Sequence, residues 1–268
     1  MELKIGIAGL GAIGKAVARH LRNDLPGMTL AAVTTRSAEK ARIALEEIGS
    51  PVPIVPPEEL ADICDIIVEC APTEAFMSIV EPAMKKGRIV VTVSAAALCE
   101  NLDIVDVARR NGGRIVLGTG ALLGLDAVRA AARGEIYSVQ MITRKPPKSL
   151  KGAPYLIERG IDMDAVTEPV MLFDGFVREG ARGFPANLNV AASLAMAGIG
   201  LDRTKLQIWA DPTLERNTHT IKVDADSARF ELKIENIPTL EKPGTGRITA
   251  LSVVAALDSL VTPLRIGT

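Results

Sequence analysis

The sequence predicts an α/β protein, with a doubly wound parallel sheet at the N-terminus followed by a second domain of the α+β class. Three observations carry this prediction. Short β-branched runs alternate with helical patterns through the first half of the chain, which is typical of parallel βαβ units. The motif Gly9-Leu-Gly11-Ala-Ile-Gly14 joins the first strand to the first helix. After about residue 122 the runs alternate apolar and polar residues, as half-exposed antiparallel strands do.

In the first half, apolar runs predict five strands, and the periodic patterns between them predict helices. The strands are expected at 4–8, 30–34, 65–70, 88–93 and 114–117. The helices are expected at 14–23, 37–48, 73–86 and 103–111. Ser37 suits the N-cap of the second helix, because its hydroxyl can accept a hydrogen bond from a free N–H of the first turn. The Pro-rich run 51–57 is interpreted as a surface connection.

The second half is predicted to combine strands with small-residue helices. The strands are expected at 136–144, 170–179, 205–210, 219–223 and 228–235, and the helices at 125–133 and 188–198. A last apolar helix, at 246–260, is expected to pack back on the first domain. The prediction is therefore one domain of residues 1–122, with 241–268 packing back on it, and a second domain of residues 123–240.

The composition counts against several classes of function. Lys and Arg number 31 against 32 Asp and Glu in 268 residues, a net charge of −1, so the chain has no bulk attraction for nucleic acid or an anionic membrane. Every apolar stretch is interrupted before the roughly 18 residues of a membrane span, and the first residues lack a signal-peptide pattern. Three scattered cysteines and two histidines suit neither a disulfide framework nor a metal site. We expect a cytoplasmic protein without a metal.

The glycine motif matches the dinucleotide-binding fingerprint of Rossmann folds, and its position between a strand and a helix gives each Gly a task. Gly9 allows the tight turn, Gly11 leaves room for a pyrophosphate, and Gly14 lets the helix pack on the strand. Ala12 and Ile13 share this first turn, where the helix N-terminus attracts phosphate. The alternative interpretation is a tight turn that binds nothing.

The choice of cofactor is predicted from the end of the second strand. An acidic residue there would bind the ribose of NAD, but the segment Val33-Thr-Thr-Arg-Ser37 has none. Arg36, helped by the Thr35 hydroxyl, suits the 2′-phosphate of NADP, although a solvated loop Arg is the alternative. The cofactor is therefore expected to be NADP or NAD. Ala71 and Ser94 follow later strands, where the nicotinamide is expected, and could equally be plain helix starts.

Candidates for chemistry are few, since the chain has only two histidines. His20 lies in the first helix and is interpreted as a surface residue. His219 begins a strand of the second domain, where an imidazole can transfer protons near neutral pH, although a lone His is more often structural.

Two further segments carry polar groups that suit a small-molecule ligand. Cations for substrate carboxylates are available in one basic segment, which could equally be a solvated loop; they are Arg144, Lys145, Lys148 and Lys151. Asn187 and Asn189 stand at a helix start, as caps or as amide contacts to a ligand.

Motifs over nearly the whole chain resemble the L-aspartate dehydrogenase family, which uses NAD(P) and is linked to iminoaspartate supply for NAD biosynthesis. The matching segments are Gly9-x-Gly11-x-x-Gly14, Gly120-Ala-x-x-Gly-Leu-Asp126, Thr143-Arg-Lys-Pro-Pro147, Phe184-Pro-x-Asn-x-Asn-Val-Ala191, and His219 after Asn217-Thr218. The middle three of these are far more specific than the glycine fingerprint.

The resemblance implies oxidative deamination of L-aspartate through iminoaspartate, with His219 as the catalytic residue. It also implies that Ala121 and one Asn of the pair Asn187 and Asn189 contact the cofactor. A homodimer and a second domain built on an open mixed sheet are further implications. Two rivals stay open: a reductase of another imine or oxo acid, similar to dihydrodipicolinate reductase, and a non-catalytic NADP-binding protein.

Overall fold

The computed structural model describes residues 2–185, 188–241 and 244–267. Their contacts separate two compact units. The first contains the residues up to Gly120 together with Thr249–Arg265, and the second contains Ala121–Ile248 with the residues after Arg265. No helix among the described residues is long and apolar enough to cross a membrane.

A parallel sheet of five strands forms the centre of the first unit. Its strands are β1 (Leu3–Ala8), β2 (Met28–Thr34), β3 (Ile66–Glu69), β4 (Ile89–Thr92) and β5 (Arg114–Leu117). Their order is β2-β1-β3-β4-β5, and all four pairings are parallel. The direction of winding therefore reverses between β1 and β3, which makes this pair the switch point of a doubly wound sheet. The fold class predicted for the N-terminal half is confirmed.

Helices alternate with these strands. They are α1 (Ala12–Asn23), α2 (Ala38–Ile48), α3 (Pro57–Ile63), α4 (Phe76–Lys85), α5 (Ala95–Glu100) and α6 (Ile104–Asn111). The core of the unit combines strand residues such as Ile5 and Ile7 with Val17 and Leu21 of α1. Val253 and Leu257 join the same core, so the late helix Arg247–Asp258 packs on this sheet from Thr249 onward.

The second unit is built on a mixed sheet of five strands. They are β6 (Ile136–Lys145), β7 (Val170–Phe176), β8 (Lys205–Ala210), β9 (Asn217–Ala225) and β10 (Arg229–Asn236). The order is β10-β9-β6-β8-β7, with β6 and β8 parallel and the other pairings antiparallel. Its helices are α7 (Leu125–Ala131), α8 (Pro154–Glu158), α9 (Val177–Gly183) and α10 (Leu188–Ala197). The late helix Arg247–Asp258, which packs on the first unit from Thr249 onward, is α11. The predicted open mixed sheet is therefore present.

Three local expectations were wrong. The strand expected at 170–179 ends at Phe176, and its last residues begin α9 instead. The Pro-rich run is more than a surface connection, because Ile54 forms a parallel bridge with Val33 and lengthens the sheet edge. Ser37 occupies the N-cap of α2, but its side chain makes no capping hydrogen bond.

A buried carboxyl group organises the carboxyl edge of the parallel sheet. Glu69, at the end of β3, is fully buried. Its Oε2 accepts a hydrogen bond from the Thr92 hydroxyl at 2.6 Å, and its Oε1 accepts one from the Ala71 N–H at 3.0 Å. The Ser94 N–H donates in turn to Thr92 Oγ1 at 2.9 Å. Burial raises the pKa of Glu69 above its ordinary value, because a charged carboxylate loses its hydration there.

We expect Glu69→Gln to reduce the pH dependence of folding stability. The native state holds a proton on Glu69 at pH values where the unfolded chain has already lost it, so Glu69 lowers stability as pH rises above about 4.5. Glutamine cannot ionise, so this pH dependence is lost, while its amide oxygen can still accept the hydrogen bond from the Ala71 N–H. The measurement is denaturant unfolding of both proteins from pH 4 to 8.

Glu69→Ala is the contrasting variant. It leaves the buried Thr92 hydroxyl and the Ala71 N–H without their acceptor, and should be less stable than Glu69→Gln by about 1–3 kcal/mol at every pH. Identical pH dependence of wild type and Glu69→Gln would contradict a protonated, buried Glu69.

Candidate active site

The first part of the candidate site is the turn after β1. Gly9 has a φ of +95°, a region that L side chains rarely adopt. Its N–H donates to the Thr34 carbonyl oxygen at 2.9 Å, and the Cys70 thiol donates to the Gly9 carbonyl oxygen at 3.0 Å. A Cβ at Gly9 would lie 2.7 Å from the Cys70 carbonyl oxygen. The turn is thus fixed between the ends of β2 and β3, at the switch point where doubly wound sheets bind ligands.

The next two glycines have contrasting surroundings. A Cβ at Gly11 would meet nothing within 4 Å, so there is open space beside the start of α1. At Gly14 a Cβ would lie 2.1 Å from the Gly9 carbonyl oxygen, which shows how closely the helix packs on the turn. Ala12 and Ile13 are half-buried in the first turn, which contains no acidic residue. This arrangement fits a pyrophosphate approaching free N–H groups at a helix N-terminus.

The ends of β2, β3 and β4 hold the remaining cofactor candidates of this unit. Thr35 is half-buried and Arg36 is exposed. Arg36 forms no hydrogen bond or ion pair with any residue in the described part of the chain. Ala71 lies against Gly9, and Ser94 is buried at the start of α5. The structure therefore brings these residues to one edge of the parallel sheet.

In the second unit, His219 lies on β9 directly opposite Thr143 of β6. The Thr143 hydroxyl and His219 Nδ1 are 3.1 Å apart, so the ring is anchored through Nδ1 and its Nε2 is the remaining nitrogen. His219 is 4% exposed, and Lys145, two residues beyond Thr143, is 6% exposed. Side chains two residues apart on a strand share a face. His219, Thr143 and Lys145 therefore form one buried polar cluster.

Burial changes the ionisation of both basic groups. Together with a smaller effect of the nearby Lys145 charge, it lowers the pKa of His219 to about 3. Burial also lowers the pKa of Lys145 to about 8. Both shifts have the same cause, because a cation loses its hydration on burial. At neutral pH His219 is neutral, and Lys145 is the member of the cluster that titrates closest to neutrality.

The other basic candidates have different surroundings. Arg144 points to the opposite side of β6 from Lys145, where it pairs with Asp211 at 3.1 Å and lies 4.6 Å from the centre of the Trp209 ring. Lys151 forms an ion pair with Asp164 at 2.5 Å. Lys148 is exposed and lines a small cavity together with Arg216, Asn217 and Asn236. Lys145 is therefore the one predicted cation that joins His219.

The remaining predicted contacts also lie in the second unit. The Ala121 carbonyl oxygen accepts a hydrogen bond from Asn236 Nδ2 at 3.0 Å. Asn189 is exposed in the first turn of α10, whereas Asn187 lies outside the described residues. Among residues 2–185, 188–241 and 244–267, no three His, Cys, Asp or Glu side chains cluster as a metal site would require.

Sequence reasoning missed Glu69, Thr143 and Asn236. Thr143 lies inside a motif that the sequence analysis singled out, but nothing local connects it to a histidine 76 positions away. Asn236 pairs with Asn217 across β9 and β10, a contact that depends on strand register. Glu69 at the end of an apolar run was a usable signal, because a buried carboxyl group is uncommon without partners.

Comparison with known proteins identifies two matching families of domains. Residues 9–118 match the model described as the NAD-binding domain of homoserine dehydrogenase. Residues 126–260 match the model described as the C-terminal domain of aspartate dehydrogenase. The chain is 53% identical to an L-aspartate dehydrogenase of Bradyrhizobium diazoefficiens over 267 residues, covering 100% of this chain and 95% of that protein. It belongs to the L-aspartate dehydrogenase family.

Other comparisons agree with this family. An L-aspartate dehydrogenase of Bordetella bronchiseptica is 51% identical, with 100% of this chain and 98% of that protein covered. The crystal structure of aspartate dehydrogenase from Thermotoga maritima matches with a TM-score of 0.77 and 24% identity, over the full length of both chains; this likeness concerns the fold. As a member of the L-aspartate dehydrogenase family, the protein is an oxidoreductase that uses NAD(P), as the sequence predicted.

We expect His219 to make the protein less stable in mild acid. The unfolded chain binds a proton at this position below about pH 6.5, but the native state does so only near pH 3. The free energy of unfolding should therefore decrease as the pH is lowered across that window, by up to about 1.4 kcal/mol per pH unit from this group. Urea unfolding from pH 7 to 4 measures the slope.

The matched variants are His219→Gln and His20→Gln. His219→Gln should reduce the loss of unfolding free energy in acid. His20→Gln, which changes a half-exposed residue of α1, should retain that loss. An unchanged slope in His219→Gln would show that the imidazole is not buried as a neutral ring.

Proposed function

We propose that this protein catalyses the reversible, NAD(P)-dependent oxidative deamination of L-aspartate to oxaloacetate and ammonia, through iminoaspartate. The observation that carries the proposal is the full-length similarity to L-aspartate dehydrogenases, at 53% identity. The buried cluster around His219 supports it, because hydrolysis of an imine needs a proton-transfer group beside an oriented substrate. A link to NAD biosynthesis follows from the same family.

The cofactor candidates of the first unit share one task. When bound, NAD(P)+ supplies the acceptor for the hydride of the substrate α-carbon. We assign the pyrophosphate to the turn at Gly9, Gly11, Ala12, Ile13 and Gly14. Thr35 and Arg36 are assigned to the adenosine ribose, and Ala71 and Ser94 to the nicotinamide arm. Outside the first unit, Ala121 and either Asn189 or Asn187 are also assigned to the cofactor.

His219 is assigned to the hydrolytic half of the reaction. The Thr143 contact at Nδ1 leaves Nε2 for the substrate side. A neutral imidazole can accept a proton from the water that attacks the imine carbon, and can hold that water in place. Because His219 is neutral at physiological pH, it begins each turnover as a base.

The substrate carboxylates need cationic partners, and the basic segment provides several. Arg144 is already committed to Asp211, whereas Lys148 is exposed beside Arg216 in the small cavity near the start of β9. We assign carboxylate binding to this pair of cations, with Lys145 discussed separately below. Two like charges facing one cavity attract a dicarboxylate before it binds.

The wider organisation follows the same proposal. Residues 1–122 with 241–268 would form the cofactor domain and residues 123–240 the substrate domain, a division supported by contact boundaries at Gly120 and Ile248. We propose a cytoplasmic homodimer that acts on a small molecule. The net charge of −1 supports the absence of a nucleic-acid partner.

The decisive measurement follows reduced cofactor at 340 nm. Wild-type protein should reduce NADP or NAD in the presence of L-aspartate, and should oxidise the reduced cofactors in the presence of oxaloacetate and ammonium. His219→Ala should lower kcat by roughly 10²- to 10⁴-fold, while His20→Gln should match wild type. Turnover of another imine or oxo acid without turnover of aspartate would reassign the substrate. Cofactor binding without any turnover would indicate a non-catalytic binding protein.

Arg36 should set the preference between the two cofactors. We expect kcat/KM with NADP to be at least equal to that with NAD. Arg36→Gln should lower the NADP value by roughly 10- to 100-fold, the equivalent of one charge-assisted hydrogen bond, and leave the NAD value nearly unchanged. Arg42→Gln is the control, since Arg42 pairs with Glu39 on the exposed side of α2. Equal losses with both cofactors would contradict a 2′-phosphate contact.

A further inference from the structure

Lys145 is buried without a carboxylate partner, which a cation that only binds substrate carboxylates does not require. It ends β6 on the buried face that carries Thr143, whereas Arg144 occupies the other face. Lys145 is 6% exposed, and no carboxylate within the described residues pairs with its amine. A buried lysine without a counter-ion is costly to keep charged.

The charged groups around Lys145 are few. From β9, the neutral imidazole of His219 is close enough to be affected by the charge of Lys145. Directly after β8, the Asp211 N–H donates to the Lys145 carbonyl oxygen at 2.8 Å. The Asp211 carboxylate instead accepts from Arg144 at 3.1 Å and from the Thr213 hydroxyl at 2.6 Å. The ammonium form of Lys145 therefore has little compensation, so its neutral amine forms at lower pH than that of an exposed lysine.

We propose that Lys145 is a second proton-transfer residue of this site, whose neutral amine takes a proton from the α-ammonium group of the bound amino acid. The proposal deepens the proposed function and rests on it. It replaces the role of carboxylate binding that the sequence allowed for Lys145, and divides the proton transfers between two side chains on the same face of the sheet.

The division balances the reaction. An N–H bond of the substrate ammonium breaks, and its proton moves to Lys145 Nζ. The freed electron pair forms the C=N bond as the α-hydrogen leaves with two electrons for NAD(P)+. A water oxygen then adds to the α-carbon and loses one proton to His219 Nε2. Lys145 returns its proton to the nitrogen, the C–N bond breaks, and the protons of His219 and the new hydroxyl pass to solvent and to ammonia.

The ionisation of the two groups suits this division. Burial lowers the pKa of Lys145 to about 8, so a substantial fraction of the amine is neutral in the mildly alkaline range. An ordinary lysine, with a pKa near 10.4, would be almost fully charged there. An arginine stays charged at any of these pH values, and His219, with a pKa of about 3, is a weak base.

The kinetic test compares wild type with Lys145→Arg across pH. Arginine preserves the positive charge and cannot transfer a proton. Wild-type kcat/KM for aspartate oxidation should rise with pH through an apparent pKa near 8. Lys145→Arg should lose roughly 10²-fold or more in kcat at pH 8, and its activity should rise only at higher pH, as the free substrate amine deprotonates. Lys145→Met, which is uncharged and of similar length, should show the same loss.

The control variant is Lys222→Met. Lys222 lies on the exposed face of β9, paired with Glu231 at 3.1 Å, and its loss should leave the pH profile unchanged. If Lys145→Arg instead retains the wild-type kcat and pH profile, or changes only KM, then Lys145 binds a carboxylate and the proposal is overturned. Wild type that does not oxidise aspartate would overturn the proposed function together with this role.

A second test needs neither substrate nor cofactor. NMR of the lysine ε-carbons in the free protein should show one lysine that titrates near pH 8, and this signal should be missing in Lys145→Arg. The chain has only two histidines, so the ring signal of His219 is readily assigned with His20→Gln. Removing the neighbouring cation in Lys145→Met should move the titration of His219 to higher pH. Ordinary titration of every lysine in wild type would overturn the proposal.

Discussion

The side chains of β6 alternate between two faces of the mixed sheet, and the chemistry of the second unit depends on this alternation. Thr143 and Lys145 share the buried face, where β9 places His219 opposite Thr143. Arg144 lies between them in sequence but on the other face, where Trp209 and Asp211 hold it. These adjacent basic residues thus have opposite environments: Lys145 is buried without a counter-ion, whereas the charge of Arg144 is balanced by Asp211.

Burial has two consequences at this cluster. It removes the hydration that stabilises cations, which lowers the pKa of both His219 and Lys145. It also strengthens every remaining polar contact, because the local dielectric is low. The same burial therefore costs folding stability in acid, keeps His219 neutral, and brings the deprotonation of Lys145 down to mildly alkaline pH. Such a conflict between stability and activity is common at functional sites.

In the first unit, the important feature is the carboxyl edge of the parallel sheet, where the loops that would contact a ligand begin. Parallel strands end together at one edge, and Glu69 ties two of these ends together by accepting hydrogen bonds from Ala71 and Thr92. Gly9 is fixed against the same segment. A dinucleotide needs such a rigid edge, because small displacements of backbone N–H groups weaken their contacts with phosphate.

Local sequence determined much of this protein. The glycine spacing, the βαβ alternation and the change of pattern near residue 122 are local features, and they were sufficient for the fold class. The motifs of the second half were sufficient for the family. The strand expected at 170–179 was extended into the charged segment after Val177, which instead forms a helix where Gly180 packs closely against Leu206 and Phe173.

What the tertiary structure decided is the environment of each polar group. Glu69 and Thr92 are 23 positions apart, and Thr143 and His219 are 76 apart. Their pairing depends on strand order and register, which no local pattern specifies. The sequence could name Arg144, Lys145 and Lys148 as equivalent cations. Only the packed sheet distinguishes them, because burial and the loss of water, rather than residue type, determine which one can release a proton near neutral pH.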